Sequence, residues 1–290
     1  MVIKIVTDIR IALCILALLT NGIVLFLQLK LKSFLEISLV FALSLSVADA
    51  VYSLGVLLET LAFRHQNDKS ISPFLFSAIA TAGHFLSYVS VILVAVDRYL
   101  SLCAFPIRYK TIVSLKKYYV ISGISWIRAC AHAFTLRYSF PPGHYFGSLE
   151  TFITPSIAVI ICAVIYLKLY VSTSRSMRRT MGNVDRDEVV RRTKQSRKLL
   201  TAIALILFTN CALLIPSRGY NLYLSLKPLR FLYFKNIFWV NIFYNLQTFN
   251  SVMNPLIYWR QVLLQDLQLC KGEIRQTNLQ NQNVTMQFTD

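Results

Sequence analysis

No pair of catalytic carboxylates, no Gly-X-Ser-X-Gly nucleophile motif and no metal-spaced histidine cluster occurs in the 290 residues. The chain therefore offers no enzyme chemistry. It also lacks an extracellular disulfide framework. Its six cysteines are Cys14, Cys103, Cys130, Cys162, Cys211 and Cys270. Nearly all fall inside apolar runs or at their basic ends, where a thiol acts as a small apolar side chain. No internal repeat is visible, which disfavours a repeat-built transporter, and no cleavable signal peptide is apparent before the first apolar run. Acidic residues are scarce: 13 stand against 30 Lys and Arg, a formal net charge of +17. The excess does not mark nucleic-acid binding, because the basic residues sit in short segments between apolar runs.

What is abundant is apolar side chain, 56% of residues with a mean hydropathy of +0.54. A soluble domain of this length cannot hide so much, so the chain reads as an all-α membrane protein. Seven spans are expected at roughly 8–29, 34–63, 73–104, 118–136, 150–172, 197–223 and 234–259. Lysine and arginine concentrate in alternate connections, above all between spans five and six. That asymmetry predicts an N-terminus outside and a cytoplasmic C-terminus, with the basic loops against anionic lipid. Arg128 and His132 in span four must face the bundle, a cavity or the interface. Pro216 and Arg218 predict a kink or unwinding at the outer end of span six. The stretch after Arg260 is amphipathic and too short to span, so it should lie on the membrane surface. A polar, amide-rich tail follows.

Polar groups inside lipid-length helices are expensive and therefore informative. Asn21, Asp49 and Ser87 lie within spans one to three, and Asn250, Ser251 and Asn254 within span seven. Asn250, Asn254 and Tyr258 recur at i, i+4, i+8 and form one stripe. A mid-membrane carboxylate needs a counter-ion, a proton or several donors. This set either holds a small cation with water or fastens helices through hydrogen bonds. Asp97-Arg98-Tyr99 closes one apolar run and Asn254-Pro255-Leu256-Ile257-Tyr258 closes the last near the same face. That pairing suggests a switch rather than a pore.

The ordered motifs Asn21-Gly22, Leu43 through Asp49, Asp97-Arg98-Tyr99, Trp126, Phe208 with Cys211, and Asn250 through Tyr258 resemble a rhodopsin-like (class A) G-protein-coupled receptor. The resemblance implies a seven-transmembrane helix bundle over 1–259, an amphipathic juxtamembrane helix over 260–271 and a disordered cytoplasmic tail over 272–290. It implies that Arg98 pairs with Asp97 at rest, then helps receive a heterotrimeric G protein, with Tyr99, Tyr166, Asn254, Pro255 and Tyr258 in the switch. Asp49, Ser87, Asn250, Ser251 and Asn254 match the family's Na⁺ pocket, and no other cofactor is required. Cys270 resembles the palmitoylated cysteine after the surface helix.

Departures from the family pattern are as telling. The outer disulfide is missing, with Pro73 near its expected place. Ala212 replaces the tryptophan beneath the ligand pocket, and the usual helix-six proline falls on Leu214. Lys194 stands where a carboxylate often locks the arginine; opposed to Arg98, it adds a repulsion of about 1 kcal/mol if solvated and predicts basal signalling. Ala80 disfavours a biogenic amine and Thr248 disfavours retinal. The absent disulfide and the run from Ser46 to Thr60 resemble the melanocortin, cannabinoid and lysophospholipid group, although Pro73 and Ser77 remove the acidic partners of a calcium-assisted peptide site. Glu59, about 15 Å above Asp49 along a helix, joins Ala80, His84, Ala212 and Tyr244 as the expected ligand pocket. For Glu59 a solvated or paired carboxylate, and for His84 a buried hydrogen-bonded ring, are the alternatives. The ligand class, peptide, lipid or small molecule, stays open. No glycosylation acceptor occurs in the outer segments. The expected function is a plasma-membrane receptor activating a G protein; the alternatives are an ion-coupled transporter or channel, and a receptor fold that does not signal.

Overall fold

A computed structural model describes residues 2–30, 39–64, 72–105, 108–139, 145–180, 205, 208–209, 211–227 and 238–257. Helix α1 is Val2–Lys30. Its buried positions Cys14, Ala17, Asn21, Val24 and Gln28 recur every three or four residues, a single stripe. The other faces expose Leu19, Ile23, Phe26 and Leu29. Its most hydrophobic window is only 28% buried. Large apolar side chains without a protein partner are what a helix presents to lipid.

Helix α2 is Val40–Arg64 and α3 is Ser72–Tyr99. They meet through glycines. A Cβ at Gly55 would lie 2.5 Å from the backbone nitrogen of Ala80, and one at Gly83 2.5 Å from that of Tyr52. No side chain fits either position, so the two backbones approach as small residues permit. Helix α3 runs on into a π turn at Leu100–Ala104, closed by Phe105 N–H donating to the Leu100 carbonyl at 3.0 Å. A short α4 (Tyr109–Ile112), α5 (Leu115–Ser139) and α6 (Tyr145–Thr180) follow. Helices α7 and α8 occupy 211–225 and 238–257. Besides the short α4, seven long helices and no strand are present among the described residues, so the all-α seven-helix bundle stands.

Four of these, Val2–Lys30, Val40–Arg64, Phe74–Tyr99 and Tyr145–Ser172, are long and apolar enough to cross a membrane on their own composition. Three expectations change. The first helix begins at Val2 rather than 8, because nothing in 2–7 breaks it. Residues 211–225 stay helical through Pro216, so the expected unwinding does not occur. Arg128 lies exposed on the outer face of α5, whereas His132 turns inward. The surface segment after Arg260 and the tail lie outside the described residues, as do Lys194, Tyr258 and Cys270. Cys14, Cys103, Cys130, Cys162 and Cys211 are free thiols.

Candidate functional site

Asp49 is 1% exposed, with its carboxylate enclosed by three helices. Ser87 Oγ donates to Oδ1 at 2.9 Å and Ser251 Oγ to the same oxygen at 3.4 Å. Asn254 Nδ2 donates to Oδ2 at 2.8 Å. Asn250 is buried one turn above Asn254. Helix α8 supplies two of these donors although it contains Pro255. Proline cannot donate to the carbonyl four residues back, that of Ser251. Asn21 Nδ2 of α1 takes that carbonyl instead, at 3.0 Å. The stretch therefore stays helical to 257 despite Pro255. All five residues expected at the ion pocket are buried in this region of the bundle.

At the end of α3, Arg98 Nε lies 3.7 Å from Asp97 Oδ2, an ion pair too long for a hydrogen bond. The other carboxylate oxygen is held by tyrosines: Tyr118 OH donates to Oδ1 at 2.7 Å, and Tyr109 OH donates to it as well. Burial, and then the Asp97 carboxylate, push the Tyr109 hydroxyl above its ordinary pKa, so it stays a donor. Tyr118 also stacks on Phe41 at 4.4 Å, within a core that includes Val40, Leu45, Val94 and Ile257. Tyr166 is buried on α6 against Ala95 and Cys162, and Tyr99 is half-buried beside the π turn.

The opposite end of the bundle holds two clefts. The first, of about 60 Å³, is lined by Glu59, Ala80, His84 and Tyr244 together with Tyr88, Arg218 and Gln247. His84 is hydrogen-bonded to the Tyr88 hydroxyl, and Gln247 Nε2 lies 3.1 Å from its ring nitrogen. His84 thus both lines the cleft and sits in a buried network. At the rim His132 Nε2 meets Glu150 Oε1 at 2.7 Å. The second cleft, of about 480 Å³, lies between α1, α2 and α8 and shares Val56, Glu59 and Tyr244 with the first. Ala212 is exposed and lines neither cleft, so it is not a pocket floor; its position on α7 faces away from the bundle.

Residues 20–258 match the model of the 7 transmembrane receptor (rhodopsin family). The chain belongs to this family. No curated protein matches it. It is therefore a membrane receptor of the rhodopsin family, and the transporter alternative is not favoured. Within this receptor, the sodium-pocket resemblance lands on residues that converge, the Asp97–Arg98 pairing is present, and four of the five expected ligand-pocket residues share one cleft.

Sequence reasoning missed two arginines of the receptor. Arg10 of α1 donates to Asn241 Oδ1 at 2.5 Å and Asn245 Oδ1 at 3.3 Å, and its guanidinium lies 5.1 Å from the Tyr244 ring centroid. Arg218 was read for its effect on helix shape rather than for its direction. A signal existed for both: each is a lone arginine in an apolar run, which is costly unless turned inward.

Proposed function

We propose that the receptor binds an extracellular ligand in the clefts beside Glu59 and Tyr244 and activates a heterotrimeric G protein at the face carrying Arg98. It sits in the plasma membrane with its N-terminus outside and its C-terminus cytoplasmic. The Asp97 arrangement carries this reading: a buried carboxylate, held by two tyrosines, restrains an adjacent arginine at the mouth of the bundle. Such a restraint is a latch, and a ligand opens it only by binding the open form more tightly. Na⁺ at Asp49, Ser87, Asn250, Ser251 and Asn254 would favour the closed form, and lipid on Cys270 would pin the segment beyond α8. The nearest subgroup is that of melanocortin, cannabinoid and lysophospholipid receptors, on the helix-two run and the absent outer disulfide.

The test is nucleotide exchange on a panel of G proteins with wild type and Arg98→Ala. A basal or ligand-driven signal in wild type that vanishes in the variant is expected. Silence with every G protein and ligand would favour a receptor fold that does not signal.

A further inference from the structure

Arg218 projects into the first cleft beside Tyr52, His84, Tyr88 and Gln247. It shares a side-chain hydrogen bond with Tyr88, while its Nε is buried and has no hydrogen-bond partner. No carboxylate forms an ion pair with it among the described residues. Two carboxylates, Glu59 and Glu150, line the same cleft, and neither forms an ion pair with it. Glu150 is taken by His132 at 2.7 Å. Arg137 donates to Thr81 Oγ1 at 3.2 and 3.1 Å, and its charge acts on Glu59, which also has a hydrogen bond from Ser77. The Arg218 guanidinium therefore lacks a close counter-charge, in a setting where an unpaired cation is costly. Its neighbours are aromatic rings and neutral polar groups.

We infer that the receptor's ligand is a small organic carboxylate that pairs with Arg218 while its body lies among the rings of Tyr52, Tyr88 and Tyr244. The guanidinium fork matches a carboxylate in two parallel hydrogen bonds. The cleft around Arg218, of about 60 Å³, suits a compact body. The surrounding network gives the anion leverage. Arg218 bonds Tyr88, Tyr88 bonds His84, His84 meets Gln247, and Gln247 Oε1 accepts from Ser217 at 3.5 Å. That closes a ring through α3, α8 and α7, so an anion on Arg218 acts on three helices at once. The inference rests on reading this cleft as the receptor's ligand site.

The test is thermal unfolding of the purified full-length receptor at constant sodium, so that the Asp49 pocket contributes equally throughout. Chloride is replaced by benzoate or butyrate, and benzamide and butyramide serve as neutral counterparts. A ligand that binds only the folded state raises the melting temperature with its concentration. At least one acid should raise it by several degrees while its amide does not. Arg218→Met should lose that shift, yet melt higher than wild type without carboxylate, because a buried unpaired charge has been removed. Arg218→Lys should keep a reduced shift, which decides the matter if the methionine variant does not fold. No shift with either acid, equal shifts with acids and amides, or an undiminished shift in the Arg218 variants would overturn the assignment. A shift with dodecanoate alone would overturn it in favour of a lipid acid. Melting needs no G protein, so a failure here leaves coupling untouched, and a failure of nucleotide exchange leaves the carboxylate site untouched.

Discussion

Asp97 carries its charge out of water on a small number of donors, and each is consequential. A hydrogen bond to an ionised group contributes about 1.5–3 kcal/mol. Tyr118→Phe removes the 2.7 Å donor and should lower unfolding stability by an amount in that range. In an Asp97→Asn background the same change should cost clearly less, since the charge it served is gone; equal costs in both backgrounds would show that Tyr118 acts through packing on Phe41 alone. Asp97→Asn itself should raise basal nucleotide exchange by releasing Arg98, and an unaltered basal rate would reject the latch. Asp49 permits a parallel test. Agonist affinity titrated against Na⁺ should respond in wild type and not in Asp49→Asn, and equal salt sensitivity would mean that its four neighbours only fasten helices.

Helix contacts depend on what is missing as much as on what is present. Gly55 and Gly83 let α2 and α3 meet backbone to backbone, each with room for a hydrogen and nothing more. Gly83→Val should force them apart and destabilise the fold by about 1–3 kcal/mol, the usual cost of overpacking, read as a lower melting temperature of the purified receptor. Gly123, whose Cβ would meet nothing within 4 Å, is the control, and Gly123→Ala should leave the melting temperature the same or raise it. Pro255 and Asn21 form a second such pair across helices. The carbonyl that proline leaves free is taken by an amide 230 residues away in sequence, which keeps α8 helical and its donors aimed at Asp49.

Across the bundle, the clefts beside Glu59 and Tyr244 and the Asp97–Arg98 pair lie at opposite ends, with the Asp49 cluster between them. The departure most relevant to this axis is Lys194, a cation where the family often has the carboxylate that locks the arginine. Replacing it by glutamate should lower basal G-protein output, and unchanged output would reject charge repulsion as the source of that activity. Much of the architecture was readable in advance, because lipid forces the pattern. Apolar runs must be long enough to span, charges must gather between them, and any polar residue inside must face a partner. Asp49, Ser87, Ser251 and Asn254 were legible for that reason. Ala212 and Arg218 were not. Both lie on α7, and a linear string does not reveal which way one helix is rotated against its neighbours.

Hydropathy and charge placement alone therefore determined that the chain is a membrane helix bundle with a buried acid and an arginine at a helix end, since both follow from the cost of polar groups in hydrocarbon. Only the packed structure decided which donors hold Asp97, how α8 survives its proline, and that Arg218 enters the cleft without an ion-paired carboxylate among the described residues. Those outcomes depend on helix rotation and on contacts between residues far apart in sequence, and neither is encoded in any local run.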